Sequence, residues 1–484
     1  MSTPTIPGTP GTGTTAPAAQ ENVPAAALFK AYDIRGIVDV NLTAGAVQQI
    51  GQAIASEAVA AGYRSIVIGR DGRLSGPVFA SALSAGIRAA GVDVIDIGQV
   101  ATPLVYYAAV ELGTQCGVMI TGSHNPPEYN GLKMVLGGEA IHGERILGLR
   151  RRIAAGELVQ AATPGRHESR DVRAAYLERI TGDVRLATPL RVAIDCGNGV
   201  AGAFAPELYR RLGAEVVELF CTVDGTFPNH HPDPAHPENL QDLIACLARG
   251  EADIGLAFDG DGDRLGVVTA EGHIIWPDRQ LMLFAEDVLT RHPGGTIIYD
   301  VKCTRNIAPW VTARGGVPMM WKTGHSLVKA RLRETGAPLA GEMSGHIFFK
   351  DRWYGFDDGM YAGARLLEIL SRAKAAGRSP SAVLDALPDS TATPELQWWL
   401  AEGENYRLIE TLQREARFPG ALGVAQIDGL RVEYADGFGL ARASNTTPVI
   451  VLRFEADDAD ALARIQGEFR RVLSAVAPGA QLPF

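Results

Sequence analysis

Apolar and polar residues follow a layout that recurs three times along the chain. Short apolar runs predict buried strands, and the amphipathic stretches between them predict helices. The predicted strands are SIVIGR (65–70), VDVIDIG (92–98) and GVMI (117–120), then RVAIDCG (191–197), EVVELF (215–220) and DIGLAF (253–258), then TIIYDV (296–301), VPMMWK (317–322) and PLAGEMSGH (338–346). Helices are predicted over 77–90, 201–212, 238–249, 304–314 and 326–335. This strand–helix–strand order predicts largely parallel sheets with right-handed crossovers.

The C-terminal part of the chain has a different pattern. Residues 426–456 predict antiparallel hairpins, followed by a helix over 457–474. We therefore expect an α/β protein of four domains: three similar mixed α/β domains and a C-terminal α+β domain, around a central cleft. Predicted linkers lie near 165–170, 273–278 and 385–394. The predicted boundaries are a disordered extension over 1–27 and domains over 28–168, 169–275, 276–387 and 388–484.

The first repeat ends on the loop TGSHNPP (121–127), directly after an apolar strand. Gly122 permits unusual backbone angles, and two prolines remove backbone donors, so this segment stays irregular. A hydroxyl at the carboxyl end of a buried strand, here Ser123, is well placed to react in an α/β protein. A plain turn is the alternative, because Ser, His, Asn and Pro are ordinary turn residues.

The second repeat ends on the loop FDGDGDR (258–264). Asp259, Asp261 and Asp263 repel one another unless a cation lies among them, and the intervening glycines let one loop wrap an ion. Oxygen ligation by a few carboxylates suits Mg²⁺. A solvated acidic turn is one alternative. An EF-hand calcium loop is another, but its sixth position here is Arg264 and its twelfth is Ala270.

Together the two loops predict phosphoryl transfer through a phosphoserine. A serine hydroxyl is a weak nucleophile, whereas a phosphoserine carries close to two negative charges at neutral pH. Mg²⁺ neutralises such charge and polarises the bond to the transferred group. Arg264 beside the ion is suited to hold phosphoryl oxygens with two hydrogen bonds.

The composition indicates the broad class of protein. The 484 residues are 46% hydrophobic and 21% charged, as expected of a globular enzyme with several domains. The net charge of −10 argues against nucleic acid as a partner. No long apolar run predicts a membrane span, and residues 1–27 lack the features of a signal peptide. The scattered cysteines predict buried free thiols and a cytoplasmic location; they are Cys116, Cys196, Cys221, Cys246 and Cys303.

Seven motifs in order resemble those of the α-D-phosphohexomutases, and within them the bacterial phosphomannomutase/phosphoglucomutase group. The motifs are AYDIRG (31–36), TGSHNPPEYNGLK (121–133), DGDGDR (259–264), WKTGHS (321–326), GEMSGH (341–346), RWYGFDDG (352–359) and RASNTTP (442–448). The resemblance spans about residues 28 to 484 and leaves only the N-terminal tail outside it. It implies four domains around a central cleft and reversible transfer of phosphate between C1 and C6 of a hexose.

The resemblance also implies roles for individual residues. Ser123 is the phosphoryl carrier, and as phosphoserine it contributes a ligand to the Mg²⁺ held by the three aspartates. Arg264 and Arg35 stabilise the transferring group, although Arg35 as a plain domain-interface arginine is an alternative. Lys133 and His346 are general acid/base candidates, with a substrate hydrogen bond as the alternative for His346. His124 orients the serine loop or is a structural turn residue.

The remaining roles concern substrate recognition. Lys302 and His325 resemble substrate contacts, and Glu342 and Ser344 suit ring hydroxyls. The alternatives are a solvated lysine for Lys302 and a lysine partner for Glu342. The last motif resembles a cradle for the phosphate that is not reacting, although a polar hairpin turn is its alternative. Its predicted members are Arg442, Ser444, Asn445 and Thr446, with Tyr32 as a further contact or a packing residue.

The family further implies hexose 1,6-bisphosphate as intermediate and activator, and sugar phosphates as the only partners. We expect a monomer because the cleft is built within one chain. Phosphoglucosamine mutase is an alternative activity, but Met343 and the sequence NTTP (445–448) favour the mannose/glucose type. A Mg²⁺-dependent sugar-phosphate phosphatase is a second alternative, which would not need the distal cradle. The family suggests a role in nucleotide-sugar supply for exopolysaccharide or lipopolysaccharide.

Overall fold

The computed structural model of the protein describes residues 23–445 and 447–484. The chain forms four sheets in sequence order, each with its own helices. Domain 1 carries a seven-stranded sheet. Its strands are β1 (Ile34–Ile37), β2 (Ser65–Arg70), β3 (Asp93–Gln99), β4 (Gly117–Ile120), β5 (Tyr129–Leu136), β6 (Glu139–Ala140) and β7 (His167–Ser169), and its helices are α1 (Ala44–Ala60), α2 (Gly76–Ala89), α3 (Thr102–Glu111) and α4 (Glu144–Ala154).

Domains 2 and 3 repeat this plan with fewer strands. Domain 2 contains α5 (Arg173–Asp183), β8 (Arg191–Asp195), α6 (Ala205–Arg211), β9 (Glu215–Leu219), α7 (Gln241–Ala248), β10 (Ile254–Phe258), β11 (Leu265–Thr269) and β12 (Ile274–Ile275). Domain 3 contains α8 (Pro277–Leu289), β13 (Thr296–Asp300), α9 (Ile307–Ala313), β14 (Val317–Trp321), α10 (His325–Thr335), β15 (Leu339–Gly341), β16 (Ile347–Phe349), α11 (Gly359–Ala375) and α12 (Pro380–Leu384). Three short 3-10 helices lie at Ala26–Leu28, Val200–Ala203 and Pro237–Leu240.

Domain 4 is antiparallel, as its hairpin pattern predicted. It contains β17 (Thr391–Ala392), β18 (Leu396–Trp399), α13 (Glu404–Glu415), β19 (Gly423–Ala425), β20 (Leu430–Tyr434), β21 (Gly437–Ala443), β22 (Val449–Ala456) and α14 (Ala459–Val476). Its strands pair in the order β17, β22, β21, β20 and β19, and β18 pairs with β22. The α/β fold with a C-terminal α+β domain is therefore confirmed.

The sheets of the first three domains share one strand order, and a loop follows the last parallel strand at the same position in each. In each sheet three parallel strands are followed by one antiparallel strand, in the orders β3-β2-β4-β5, β9-β8-β10-β11 and β14-β13-β15-β16. The loop between the last parallel strand and its antiparallel neighbour is 121–128 in domain 1, 259–264 in domain 2 and 342–346 in domain 3. The repeated pattern in the sequence thus corresponds to a repeated position in the fold.

Some expectations about connecting segments differ from the structure. Residues 167–169, expected in a linker, form the edge strand β7, and 273–278 contains β12 and the start of α8. Residues 1–22 and Thr446 lie outside the described residues. Residues 23–27 are ordered rather than part of a disordered extension, because Val23 packs against the domain 1 core and the Pro24 carbonyl accepts from Arg150.

The hydrophobic core does not follow the domain boundaries. One continuous cluster joins α3 of domain 1 to the cores of domains 2 and 3. Domain 4 has a core of its own, built from β20–β22 and α14. Val301 of domain 3 packs against Phe438 and Leu440 of domain 4 at a smaller apolar contact. Three domains are therefore packed together, and the fourth is attached to them.

Within residues 23–445 and 447–484, no helix combines the length and the apolar character needed to cross a bilayer.

Candidate active site

The serine loop presents Ser123 in an uncommon backbone conformation. Its φ is +50°, in the left-handed region that residues other than glycine seldom adopt. The amide of Ser123 donates to Thr121 Oγ1 at 2.7 Å, and Thr121 Oγ1 donates to Asp71 Oδ2 at 2.7 Å. The side chain is buried, and its hydroxyl donates to Asp259 Oδ2 at 3.3 Å. The loop therefore delivers the Ser123 hydroxyl to the aspartate loop.

Close backbone contact lets the serine and aspartate loops meet. A Cβ on Gly260 would lie 2.5 Å from the Ser123 carbonyl oxygen, so only glycine fits there. Thr102, at the start of α3, donates from its amide to the Asp261 carbonyl and from its hydroxyl to Asp261 Oδ2. These contacts bring together two segments that are 136 positions apart in sequence.

Lys133 supplies positive charge to the aspartates. It follows the serine loop on β5 and its ammonium donates to Asp261 Oδ2 at 2.8 Å and Asp263 Oδ2 at 2.5 Å. The Ser123 hydroxyl lies 3.5 Å from the same nitrogen. Burial alone would lower the pKa of Lys133, but the neighbouring carboxylates raise it above its ordinary value. The lysine is therefore protonated in this arrangement.

The three aspartates fit a divalent cation. Asp259, Asp261 and Asp263 are fully buried, and one carboxylate oxygen from each lies within 4.8 Å of the others. Within the described residues, Asp261 Oδ1 and Asp263 Oδ1 have no hydrogen-bond partner. Burial and the two neighbouring carboxylates raise the pKa of Asp259 well above its ordinary value. Three carboxylates this close repel one another, so all three stay ionised most readily when a cation binds them.

Arg264 and His346 join the aspartate loop (259–264) to the loop 342–346 of domain 3. Arg264 Nε donates to His346 Nε2 at 3.1 Å, and it lies 3.7 Å from Asp259 Oδ2. Burial opposes the charge on Arg264, but Asp259 and Asp233 raise its pKa. On the other side of the ring, His346 Nδ1 lies 3.1 Å from Asp357 Oδ2. The imidazole therefore stands between a guanidinium and a carboxylate.

His124 packs against domain 2 rather than standing free in the cleft. Its Nδ1 lies 2.9 Å from Asp233 Oδ2, and its carbonyl contacts His231 Nε2. Burial and the charge of Arg264 lower the pKa of His124 to about 4. The histidine thus ties the serine loop to the segment before β10, in keeping with an orienting role.

Arg35 and Tyr32 approach the cleft from the start of domain 1. Arg35 Nη1 donates to the Gly122 carbonyl at 3.0 Å and to the Asn125 side chain, and its Nη2 pairs with Asp33. Tyr32 donates to the Thr323 carbonyl at 2.7 Å and accepts from Asn445 Nδ2. Tyr32 therefore joins domains 1, 3 and 4 at one hydroxyl.

The loop 342–346 of domain 3 holds Glu342 and Ser344. Glu342 is buried and accepts from the Gly324 amide at 2.5 Å. Burial raises the pKa of Glu342 to about 7, despite the opposing effect of the hydrogen bond from the Gly324 amide. Ser344 is half-buried and lines the cleft beside Met343. His325, the first residue of α10, has a pKa well below the ordinary value because of burial and the charge of Lys329.

The distal loop lies opposite, in domain 4. Arg442 donates to Asp428 Oδ2 at 3.1 Å, and the Ser444 hydroxyl accepts from the amide and hydroxyl of Thr447. Lys302 of domain 3 lies beneath this loop and donates to Glu395 Oε1 at 2.5 Å. Burial opposes its charge, but Glu395 raises the pKa of Lys302.

One cleft of about 1280 Å³ brings most of the predicted side chains together. Glu342 and the three aspartates are buried at its wall rather than lining it, and Thr446 lies outside the described residues. The predicted residues that line the cleft are Tyr32, Arg35, Ser123, His124, Lys133, Arg264, Lys302, His325, Ser344, His346, Arg442, Ser444 and Asn445.

Sequence reasoning did not identify several residues that hold this site. They are Asp71, Arg73, His231, Asp233, Asp357 and Glu395. Asp71 and Arg73 come just after the strand β2. Ser123 was identified because it follows the carboxyl end of a buried strand, and the same criterion applies to these two residues. Asp357 lies inside a motif of the resemblance, which gave it no role. No local pattern in the sequence predicts that Asp233 contacts His124 or that Glu395 contacts Lys302.

The comparisons with known proteins cover the whole described architecture. Four families match in order: Phosphoglucomutase/phosphomannomutase, alpha/beta/alpha domain I over residues 26–159, domain II over 174–272, domain III over 276–391, and the C-terminal domain over 404–472. Together they match well over half of the chain.

Individual relatives match along nearly their full length. A phosphoglucomutase of Neisseria gonorrhoeae is 58% identical over 92% of this chain and 96% of its own. A phosphomannomutase/phosphoglucomutase of Pseudomonas aeruginosa is 53% identical over 95% of this chain and 98% of its own. The crystal structure of a phosphoglucomutase/phosphomannomutase family protein from Burkholderia thailandensis is 60% identical, with a TM-score of 0.90 over 95% of this chain and 100% of its own.

Proposed function

The chain belongs to the phosphoglucomutase/phosphomannomutase family, and we propose that it interconverts the 1- and 6-phosphates of mannose and of glucose through a phosphoserine at Ser123. The protein is an isomerase of the phosphohexomutase type, as its relatives support. The phosphoglucosamine alternative is not favoured, because relatives that are 53–58% identical carry the names of glucose and mannose enzymes.

The observation that carries this proposal is the pairing of two anion-binding regions in one cleft. The Ser123 hydroxyl, Lys133 and Arg264 form the reacting end. Arg442, Ser444 and Asn445 line the other end, in domain 4. A hydrolase needs only the first region, whereas a mutase must hold one phosphate while the other reacts. The distal loop therefore favours a mutase over a phosphatase.

The transfer step assigns a task to each nearby residue. The bond from Ser123 Oγ to phosphorus breaks as a sugar hydroxyl oxygen bonds to phosphorus, and that hydroxyl loses its proton. Ser123 Oγ keeps the electron pair of the broken bond and takes a proton from Lys133 Nζ, 3.5 Å away. We assign the proton to His346, whose Nε2 faces Arg264 and whose Nδ1 faces Asp357. Lys133, held protonated by the aspartates, and Arg264 offset the charge that develops on the phosphoryl oxygens. The reverse step at the other end of the bisphosphate restores the phosphoserine.

Asp259, Asp261 and Asp263 would hold Mg²⁺, with an oxygen of phosphoserine 123 as a further ligand. Their burial and the two unpartnered carboxylate oxygens support this assignment. When bound, the ion supplies positive charge that neutralises the phosphoryl group. Glu342 and Ser344 would form hydrogen bonds with ring hydroxyls of the sugar, and Lys302 and His325 would contact the substrate beside them. Arg35 and His124 would keep the serine loop in place.

The test is an assay with glucose 1-phosphate, Mg²⁺ and a trace of glucose 1,6-bisphosphate. We expect glucose 6-phosphate as product, little inorganic phosphate, and loss of activity when a chelator removes the metal. Inorganic phosphate without glucose 6-phosphate would contradict the mutase assignment. Parallel assays with the 1-phosphates of mannose and N-acetylglucosamine rank the substrates. The cytoplasmic location, the monomeric state and the role in nucleotide-sugar supply stay predictions.

A further inference from the structure

We propose that Arg73 is a positioning residue for phosphoryl transfer, because its buried guanidinium holds the backbone of the loop that carries Ser123. The inference rests on the proposed role of Ser123 as phosphoryl carrier. Arg73 itself faces the back of the loop and is fully buried, so it does not line the substrate cleft. Its influence on the reaction passes through the loop.

The hydrogen bonds of Arg73 use every donor that a guanidinium has. Nε donates to Asp71 Oδ2 at 3.2 Å. The other four bonds go to backbone carbonyl oxygens of the serine loop and its end: Pro126 at 2.6 Å, Tyr129 at 2.9 Å, Ser123 at 2.9 Å and Asn125 at 2.6 Å. An arginine offers five N–H donors in a fixed plane, and here all five are used.

The loop depends on this external donor. Pro126 and Pro127 have no amide hydrogen, and within the described residues no backbone amide donates to the carbonyls of Ser123 or Asn125. Buried carbonyls without a donor are costly. Arg73 therefore supplies, from outside, the hydrogen bonds that a helix or strand would supply from its own backbone.

Two neighbouring features leave room for the guanidinium and fix it. A Cβ on Gly122 would lie 2.4 Å from Arg73 Cζ, so glycine is required for the guanidinium to reach the loop. From domain 2, the Phe227 ring lies 5.3 Å from Arg73 Cζ. A Cβ on Gly225 would lie 2.8 Å from Arg73 Cα, which shows how closely domain 2 covers it. The arginine is thus held between the serine loop and the segment of domain 2 that follows β9.

The consequence concerns the transfer step more than substrate affinity. Arg73 fixes the carbonyl of Ser123 and, with Asp71 and Thr121, the amide of the same residue. The proposed substrate contacts, by contrast, lie in domains 3 and 4. Losing Arg73 should therefore displace Ser123 Oγ relative to the sugar hydroxyl without weakening the grip on the sugar phosphate.

The experiment compares Arg73→Lys with the wild-type protein. Lysine keeps the charge but has three donors in place of five, so at least two of the five bonds are lost, and at least one of them is to a loop carbonyl. We expect kcat to fall by roughly tenfold to a hundredfold, since a misplacement of about an ångström costs up to about a hundredfold. KM for glucose 1-phosphate should stay within about twofold. Rapid mixing with glucose 1,6-bisphosphate, followed by intact mass, should show slower phosphorylation of the enzyme by the same factor as kcat.

Arg88→Lys is the matched control. Arg88 also lies in domain 1, in the last turn of α2, and donates from Nε to a backbone carbonyl outside the serine loop, that of Gly165. Its replacement should leave kcat, KM and the phosphorylation rate unchanged. Wild-type kcat in Arg73→Lys, a loss that appears only in KM, or an equal loss in Arg88→Lys would overturn the proposal.

A second variant keeps the proposal testable if Arg73→Lys does not fold. Gly122→Ala leaves Arg73 in the sequence but pushes the guanidinium off the loop, so we expect the same fall in kcat and phosphorylation rate. Wild-type kinetics in Gly122→Ala would contradict the proposal.

Ser123→Ala, measured beside these variants, reports on the proposed function alone. If Ser123→Ala is still phosphorylated, the carrier assignment fails. If it is not phosphorylated and both arginine-loop variants react normally, only the role of Arg73 fails.

Discussion

At the scale of single residues, burial and neighbouring charges together set the charge of the groups in and beside the cleft. Lys133 lies under three carboxylates and stays protonated, whereas His124 is neutral because burial and Arg264 lower its pKa to about 4. Glu342 is the exception that titrates near neutrality, with a pKa of about 7 raised by burial. Its ionised form accepts hydrogen bonds at both oxygens, and its protonated form has lost part of that capacity.

The titration of Glu342 predicts a pH-dependent KM. Above its pKa the carboxylate can accept from two ring hydroxyls, so KM for glucose 1-phosphate should be lowest there. As the pH falls one unit below about 7, KM should rise roughly threefold to tenfold. Glu342→Gln cannot ionise and should show a raised KM that is flat over the same range. An equal pH dependence in Glu342→Gln would instead assign the titration to the substrate phosphate.

At the scale of elements, the repeated strand-loop-strand unit explains what the sequence could predict. Ser123, Asp259 and Glu342 follow corresponding strands, so their convergence follows from the apolar runs that precede them. Arg73 was not identified because its role consists of contacts 50 or more positions away, which no local pattern encodes. The strand at 167–169 was also missed, because all three of its residues are exposed and carry no apolar signal.

Helix α11 gives a prediction at this scale. Asp358 is its N-cap and accepts from the Tyr361 amide and the Tyr176 hydroxyl. Burial raises the pKa of Asp358 from 3.8 to about 7. A pKa that is higher in the folded state means that the ionised carboxylate opposes folding. The stability that the protonated form contributes is fully present below the unfolded pKa, and it is lost as the pH rises through about 7.

Asp358→Asn should therefore be more stable than the wild-type protein at and above neutral pH. Asparagine keeps the capping acceptor but cannot ionise. We expect the first thermal transition of Asp358→Asn to lie about 2–4 °C higher above pH 7, a shift that corresponds to about 1 kcal/mol. The advantage should disappear as the pH approaches 4. Equal melting temperatures for the two proteins at every pH would contradict the assigned pKa.

At the scale of the whole molecule, three domains form one packed body, and domain 4 is joined to domain 3 by polar contacts. Among them, Arg431 donates to the carbonyls of Val301 and Cys303, and Arg453 donates to the carbonyl of Lys302. Domains 1 to 3 share a hydrophobic cluster, whereas domain 4 has its own. Across the cleft, Asn445 of domain 4 donates to Tyr32 of domain 1, and Lys302 of domain 3 pairs with Glu395, between β17 and β18 of domain 4. If the protein grips and turns a bisphosphate as proposed, we expect this fourth domain to open and close.

Tyr32→Phe should shift the free protein towards an open cleft. The variant loses the hydroxyl that joins Thr323 and Asn445, and it keeps the ring. We expect a larger radius of gyration by small-angle scattering without ligand, and a contraction when glucose 1,6-bisphosphate is added. Tyr434→Phe is the control, because that hydroxyl is buried in domain 4 without a partner among the described residues. Identical profiles for both variants and the wild type would contradict a closing contact at Tyr32.

The central claim is that Ser123 carries the phosphoryl group. The most direct measurement is intact mass and peptide mapping of the protein after incubation with glucose 1,6-bisphosphate and Mg²⁺. Wild-type protein and Ser75→Ala, a control at a hydroxyl that contacts Asn130 nearby, should gain one phosphoryl group on the peptide that contains Ser123. Ser123→Ala should gain none and lose mutase activity. A phosphoryl group that persists in Ser123→Ala, or that maps to another peptide in the wild type, would contradict the account.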